Sequence, residues 1–518
     1  MQLADLVATS RAVGESSGRL QKVARLASLL EQARADEIEI AVAFLSGSLR
    51  QGRIGVGGAS IRDARGVQPA GAATLQLRDV DRAFEDIRSI AGAGSITART
   101  TRLRDLMARA TADEQDFLTR LLFGELRQGA LEGVLLEAVA RAARVPAASV
   151  RRAAMLAGSL ATVAVAALAA GGTALDAFII QPFQPVQPML ADSAEGVDEA
   201  LRDLGSASLE YKLDGARIQV HRSGDEVRVF TRNLRDVTKT VPEVVAAVCA
   251  VPARELILDG EAIALRPDGS PHPFQITMRR FGRTLEVERL RSELPMSPFF
   301  FDLLYLDGTA LIDEPLSARV AALSRLTPVT LQVPRIVPAS AADAGAFIAR
   351  AEADGHEGVM AKALNGVYAA GRRGQTWLKV KRARSLDLVV LAVEWGSGRR
   401  RGMLSNLHLG ARDAVRGGFV MLGKTFKGLT DPMLAWQTTK LLELEVARDS
   451  YTVYVRPELV VEIAFNDVQE SPRYPGRLAL RFARVKRYRT DKSAAQADTL
   501  DAVRDVYRQM TGLEPPVL

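Results

Sequence analysis

Along the first 180 positions, apolar residues recur every third or fourth residue, in RLQKVARLASLLEQA, IEIAVAFLSGSL, DVDRAFEDIRSIA, TTRLRDLMARATADEQDFLTRLLFGEL and GVLLEAVARAARV. That spacing lines them up on one helical face and predicts amphipathic helices around a shared core. Short breaks such as GRIGVGGAS and Pro146 separate the stretches. Neither a strand pattern nor a fixed-period repeat appears among them. The run after Arg151–Arg152, AAMLAGSLATVAVAALAAGG, is apolar enough to raise the question of a membrane span. Its alanines, glycines, Ser159 and Thr162 predict a buried helix of a soluble protein instead.

At QPFQPVQPMLA (181–191) the texture changes, and Pro182, Pro185 and Pro188 predict a stiff, extended connector at a domain boundary. Alternating, β-branched segments follow: LEYKLDGARIQVHR, EVRVFTRN, ELILDGEAIAL, FFFDLLYLDG, GVMAKA and WLKVK. Helical stretches such as VPEVVAAVCAV and DAGAFIARAEAD lie between them, so residues 181–385 read as an α+β domain on antiparallel sheet. From Leu386 onward, LDLVVLAVEWGSG, HLGARD, GFVMLGKTF, TVYVRPELVVEIAFNDVQ and LALRFARVKRYR predict about five strands with one helix, PMLAWQTTKLLELEV. That pattern fits a small barrel of the oligonucleotide-binding (OB) type over residues 386–518. The expected architecture is multidomain: all-α, then α+β, then β-barrel.

Composition narrows the chemistry. A hydrophobic fraction of 47% and a charged fraction of 25% are those of an ordinary soluble chain. The N-terminus lacks the basic-then-apolar order of a secretion signal, so the expected location is the cytoplasm, with no membrane partner. A single cysteine, Cys249, excludes an intramolecular disulfide framework and any cysteine-based zinc module. The net charge of +7 is uneven. Residues 1–190 hold 22 basic and 19 acidic groups, residues 191–385 hold 26 of each, and residues 386–518 hold 20 and 16. Basic flanks around a neutral centre fit two units gripping a polyanion, although +3 on 190 residues also fits an ordinary surface. Of the 68 basic residues 57 are arginine and 11 lysine, so each lysine is informative. Lysine can lose its proton and act as a nucleophile, which arginine cannot.

The sharpest segment is Glu210-Tyr-Lys-Leu-Asp-Gly-Ala-Arg217. A lysine at a strand end, beside an Asp-Gly turn, can be held in a pocket and used unprotonated. Alone, the tetrapeptide reads almost equally well as a strand with an exposed lysine. The segments that follow tip the balance: Thr231-Arg-Asn233, Leu258-Asp-Gly-Glu261, Phe299-Phe-Phe-Asp-Leu-Leu-Tyr305, Glu357-Gly-Val-Met-Ala-Lys362, Trp377-Leu-Lys-Val-Lys381, and Arg481 to Lys492 (RFARVKRYRTDK). Six of the 11 lysines, Lys212, Lys362, Lys379, Lys381, Lys486 and Lys492, fall inside these motifs.

In that order and spacing, the motifs resemble those of the covalent nucleotidyltransferases, and most closely the ATP-dependent DNA ligases of archaeal and eukaryotic type. The connector and the glycine-punctuated segment Leu122–Gly133 resemble, respectively, the join into the ligase catalytic domain and a turn of the ligase DNA-binding domain, so the resemblance spans nearly the whole chain. It implies a helical DNA-binding domain, an adenylation domain and an OB-fold domain. The reaction it implies forms lysyl-AMP on Lys212 from ATP, passes AMP to the 5′-phosphate of a nick in duplex DNA, and seals the nick with the 3′-hydroxyl. Such sealing serves replication, repair or recombination.

The same resemblance distributes the site residues. A neutral Lys212 requires neighbouring cations, lysines or a metal ion, to depress its pKa. Lys379 and Lys381, two apart on one strand face, can aim at phosphate oxygens. Arg217, Arg232 and Arg373 are candidate forks for ribose and phosphate, and Glu210 is a further nucleotide-binding candidate. Glu261 and Glu357 are the candidate ligands for magnesium (or manganese), with Glu261 alternatively holding the ribose hydroxyls. Phe301, which by itself reads as core, is the candidate platform for adenine. Asp214 and Asp302 are secondary candidates for orienting lysines or metal waters. Arg484, Arg487, Asp491 and Lys492 belong to the last motif, expected on a barrel that closes over the nucleotide. The implied partner is nicked duplex DNA, bound by a monomer.

An NAD-dependent ligase would need a four-cysteine zinc module that one cysteine cannot build. RNA ligases and capping enzymes share the core, but the helical first domain and arginine-rich last motif favour duplex DNA. A non-catalytic DNA-binding scaffold is the remaining alternative. Incubation with labelled ATP and magnesium distinguishes these readings. The expected result is an acid-labile, alkali-stable label on the protein that is absent in Lys212→Ala. No label excludes an enzyme, and a label accompanied by sealing of RNA alone excludes the DNA substrate.

Overall fold

The computed structural model describes residues 1–126, 132–194, 196–283, 286–369, 373–381, 384–511 and 513–516, with backbone alone at 373–375 and 381. The first unit is helical, from Leu3–Glu15 to Gly172–Leu175. The faces read from apolar periodicity meet in one core, where Leu6, Leu26, Phe44, Phe84, Phe117 and Leu135 lose all solvent contact. The alanine-rich run is two short helices. Ala147–Ala157 stops at Gly158, which is left-handed at φ 68°, and Ser159 caps Leu160–Ala170 by accepting from the Thr162 N–H at 3.3 Å. Among the described residues no helix is long and apolar enough to cross a membrane.

Ten strands follow: β1 (Leu190–Ala194), β2 (Ala207–Tyr211), β3 (Ala216–Ser223), β4 (Glu226–Thr231), β5 (Glu255–Ala264), β6 (Met296–Leu306), β7 (Thr309–Ala310), β8 (Arg335–Ile336), β9 (Gly358–Ala363) and β10 (Arg373–Lys381). They form two sheets, in the orders β1-β10-β9-β2-β8 and β4-β3-β5-β6-β7. Every pairing is antiparallel except that of β1 with β10. The chain crosses from one sheet to the other between β2 and β3, at Lys212-Leu-Asp-Gly215. Gly215 is required there by close packing. A Cβ at this position would lie 2.3 Å from the Ile263 side chain and 2.5 Å from the Ala262 carbonyl oxygen.

The connector is not a free linker. Val186 and Met189 are buried in a cluster that joins Met155 and Leu156 of the helical unit to Ile257 and Leu304 of the β5–β6 sheet. The far face of that sheet packs on a separate apolar core containing Ile218, Val220, Leu258 and Phe300.

The last unit is mostly sheet: β11 (Arg384–Trp395), β12 (Leu404–Arg412), β13 (Phe419–Thr425), β14 (Glu445–Arg448), β15 (Thr452–Val455), β16 (Val460–Phe465), β17 (Asp467–Glu470), β18 (Leu478–Arg481) and β19 (Arg484–Tyr488). β11 pairs with β12, β15 and β16 along its length, and β16 carries β19. The helix expected at PMLAWQTTKLLELEV is Asp431–Glu443. A second helix, Leu500–Thr511, was not expected. Its Leu500, Val503 and Tyr507 recur at helical spacing and pack into this unit's core.

Asp302, a secondary candidate for orienting lysines or metal waters, lies close enough to Lys362 to oppose the lowering of that amine's pKa by burial, but its own bonds are structural. It is fully buried and takes a two-point ion pair from Arg319, at 2.7 and 3.0 Å, while Arg319 also donates to the Gly366 carbonyl at 3.1 Å. Removing one partner strands the other charge in a region without water, which costs about 3–5 kcal/mol. Arg319→Met is therefore expected to lose about that much stability in urea unfolding, and a loss under about 1 kcal/mol would show that Asp302 finds another partner.

Candidate active site

Backbone hydrogen bonds place Lys212 and Glu357 side by side. The Lys212 N–H donates to the Gly358 carbonyl at 2.9 Å, and the Glu357 N–H donates to the Lys212 carbonyl at 3.3 Å. Their side chains form an ion pair, Lys212 Nζ to Glu357 Oε2, at the ends of β2 and β9. The surroundings differ from the sequence expectation, because carboxylates, not cations, are the nearest charges. Burial pushes the Lys212 amine down, but Glu357, Asp214 and Glu261 together more than offset it and hold the amine above the usual lysine value. In this state Lys212 is protonated.

Glu261 lies on β5, in register with Arg217 on β3. Burial pushes its carboxyl up to about 7, against the pull of Lys212 and Arg217, with Asp214 and Asp259 adding repulsion. The Arg217 fork is already engaged. It makes two bonds to Asp259, at 3.0 and 2.6 Å, and a third to the Met189 carbonyl at 2.7 Å. The Tyr368 hydroxyl donates to the same carboxylate at 2.7 Å and accepts from the Met189 N–H at 3.0 Å. Arg217 thus braces the site from behind rather than presenting a free fork.

Phe301 owes its position to a slip in pairing. The β5–β6 register shifts between Asp259↔Asp302 and Gly260↔Phe300, leaving Phe301 as the extra residue of a bulge. Gly260 is needed at this point, since a Cβ there would lie 2.6 Å from the Phe299 carbonyl oxygen. The Phe301 ring meets Trp377 edge-on at 5.9 Å, and the Lys362 amine lies 4.1 Å from one ring centre and 4.0 Å from the other. Lys362 is buried 2.6 Å from Glu210, which Arg335 approaches to 2.7 Å. Burial alone would raise the Glu210 carboxyl, but these two cations hold it below the usual range.

Comparison with known proteins gives the family. Residues 188–381 match the ATP dependent DNA ligase domain, residues 400–492 the ATP dependent DNA ligase C terminal region, and residues 61–140 the DNA ligase N terminus. The "Probable DNA ligase" of Anaeromyxobacter sp. (strain Fw109-5) is 59% identical over 516 residues, 99% of each chain. That of Mycobacterium marinum (strain ATCC BAA-535 / M) is 55% identical over 98% of this chain and 100% of its own. The chain belongs to the ATP-dependent DNA ligases. A solved structure, "Pmar-Lig_PreS3", shares the fold at TM-score 0.61 and 18% identity, over 93% of this chain and 99% of its own.

In this ligase the remaining sequence candidates divide. Lys379 stands on the same face of β10 as Trp377, half-buried beside the site. The side chains of Arg373 and Lys381 lie outside the described residues, as do residues 127–131 of the Leu122–Gly133 segment. Arg232 is exposed on the turn after β4. Of the last motif, Arg487 pairs with Glu462 at 2.8 Å, while Arg489 and Lys492 close on Asp387 at 2.9 and 2.5 Å. Asp491 pairs with Arg489 at 2.7 Å, and Arg484 is exposed. Among the described residues, the C-terminal ones that reach the site include Asn466 and Asp467 and, at the end of the last helix, Gln509, Met510 and Thr511. With Asp214, Glu357, His272 and Arg384 they line a cavity of about 210 Å³. In the sequence Asn466 and Asp467 stand near the end of TVYVRPELVVEIAFNDVQ, a segment read only as strand. Asp259, Arg335, Tyr368 and Trp377 were missed as site residues. Asp259 and Trp377 stood inside quoted motifs, whereas Arg335 and Tyr368 carry no local signal.

The raised Glu261 carboxyl has a consequence for stability. Between its unfolded value near 4.5 and about 7 the folded protein binds more protons than the unfolded one, so this group's contribution falls as pH rises through that window. In magnesium-free buffer Glu261→Gln is expected to remove that slope, gaining stability relative to the parent at pH 7.5 and little at pH 4.5. Parallel urea-unfolding curves at the two pH values would contradict it.

Proposed function

We propose that this ligase seals nicks in duplex DNA through lysyl-AMP on Lys212. The placement of Lys212 carries the reading. It is the amine at the crossing between two sheets, bounded by Glu357, Glu261 and Asp214 and adjoining the pocket of Phe301, Trp377, Lys362 and Glu210. Nζ must shed a proton before it attacks the α-phosphorus of ATP, and Glu357 is the group in hydrogen-bond contact to take it. The N–P bond forms as pyrophosphate leaves. AMP then passes to the 5′-phosphate of the nick, and the 3′-hydroxyl displaces it to close the strand. Arg217, held by Asp259, keeps its guanidinium 5.2 Å from the Phe301 ring centre and so steadies that ring for the adenine.

The donor set fits magnesium, or manganese, because Glu261 and Glu357 offer hard oxygen ligands beside the nucleophile. When bound, such an ion neutralises charge on the phosphates. Among the described residues no cluster of three His, Cys, Asp or Glu would hold a metal unaided. This fits an ion shared between one or two carboxylates and the substrate.

The helical unit, residues 1–180, holds the duplex, and residues 181–385 carry adenylation. Residues 386–518 form an OB-type barrel, a reading supported by β11, which bonds in turn to β12, β15 and β16 along its length. That barrel alternates between the nucleotide, where Arg484, Arg487, Asp491 and Lys492 act, and the DNA. Arg232, exposed on the turn after β4, serves as a fork for ribose or phosphate. The working form is a monomer in the cytoplasm, at the nucleoid.

Nick sealing on duplex DNA tests the reading. ATP with magnesium should support it and NAD should not. Glu357→Gln should slow self-adenylylation by about 10²-fold or more, as loss of a proton acceptor does. Sealing driven equally by NAD, or a Glu357→Gln enzyme adenylylated at the parental rate, would contradict it.

A further inference from the structure

Alternate residues of β3 point to one face, and on this strand that face is taken up by the connector. The connector runs from the helical unit into the adenylation unit, and three β3 side chains in succession grip its backbone. His221 Nδ1 accepts from the Phe183 N–H at 2.9 Å. The Gln219 amide accepts from the Val186 N–H at 2.8 Å and donates to the Val186 carbonyl at 3.1 Å. Arg217 donates to the Met189 carbonyl at 2.7 Å. His221 Nε2 also lies 2.8 Å from Gln219 Oε1, which sets the tautomer with the proton on Nε2 and locks the two side chains together. Both are buried, and neither has a role in nucleotide chemistry.

The other side of the connector is tied just as closely to the helical unit. The Gln187 N–H donates to the Met155 carbonyl at 2.9 Å, and the Gln184 side chain to the Leu156 carbonyl at 3.3 Å. Gly158 comes so near that a Cβ would lie 3.0 Å from the Pro185 carbonyl oxygen and 2.9 Å from Leu234. Arg152 makes a two-point ion pair with Asp313 across the same joint, at 2.5 and 2.6 Å. The connector is therefore the middle layer of a sandwich, bonded on both faces.

We infer that Gln219 and His221 are positioning residues that fix the helical unit in register with Lys212, so that a duplex held by the first unit presents its nick to the second. The inference rests on the proposed reading of the helical unit as the DNA holder. A proline-rich stretch alone is a semi-rigid spacer, which sets the separation of the two units without fixing the angle between them. The Gln219–Val186 pairing supplies a fixed angle between them, so binding the nick does not have to order the two units against each other, and losing that pre-organisation weakens binding.

The test separates the step that needs DNA from the step that does not. Gln219→Leu and His221→Phe remove the backbone grip at similar volume, and Gly158→Ala disturbs the joint from the helical side. For each, self-adenylylation with labelled ATP should stay within about twofold of the parent. The KM for nicked duplex should rise about tenfold, with kcat at saturating nick changed less than about threefold. A parental KM in all three variants overturns the inference, as does a parallel fall in adenylylation and sealing, which marks general destabilisation. If Gln219→Leu fails to fold, His221→Phe and Gly158→Ala decide by the same split. A parent that forms lysyl-AMP but seals no nick refutes the DNA reading itself, a result distinct from failure of the variants.

Discussion

The buried pair of Arg217 and Asp259 is the interaction on which the rest of the catalytic unit depends. Asp259 is 1% exposed and takes two bonds from Arg217 and one from the Tyr368 hydroxyl. A carboxylate so deprived of water is tolerated because its acceptor sites are filled by a planar fork and a phenol. The pair holds β3 and β5 against Tyr368, which precedes β10 and comes from the other sheet's side of the unit, and against Met189 at the end of the connector. Sheet, connector and ring pocket thereby share one fixed point. An arginine suited by its type to ribose or phosphate serves first as a brace, its charge already met by Asp259.

Charge around Lys212 follows a different logic. Three carboxylates surround one amine, so the site holds a proton on Lys212 and a near-neutral titration on Glu261. Such a site is poised to respond to the cations and phosphates that accompany ATP, since each opposite charge added to the carboxylates weakens their hold on the amine. Two residues earlier, on β2, Glu210 shows the opposite balance: two cations on one carboxylate, with the Lys362 amine packed against the rings of Phe301 and Trp377. The two glutamate environments sit on either side of the chain crossing at Lys212.

Much of this was legible in the sequence, and the reasons differ by element. The helical first unit followed from periodicity over five long stretches, and the strands of the middle unit from alternation bounded by turns. Lys212 and Glu357 were legible as site candidates because each lies in a motif that carries the resemblance, whereas their contact, across 145 residues, was not. The bulge that aims Phe301 was not, because a register slip between β5 and β6 depends on which residues pair, and pairing is non-local. Arg335 and Tyr368 could not be read either. Each enters the site through a contact spanning more than a hundred residues.

The sequence by itself determined the kinds of element and their order, which are written in local spacing, and the resemblance carried by its ordered motifs singled out Lys212. The tertiary structure alone decided which charges face one another. Arg217 went to Asp259 instead of a free fork, Asp302 went to Arg319, and the proline-rich connector became a buried layer rather than a linker. Each of those outcomes depends on how much water is excluded where distant segments meet. Desolvation of a charge or a backbone amide is a property of the packed interior, and no window of sequence contains it.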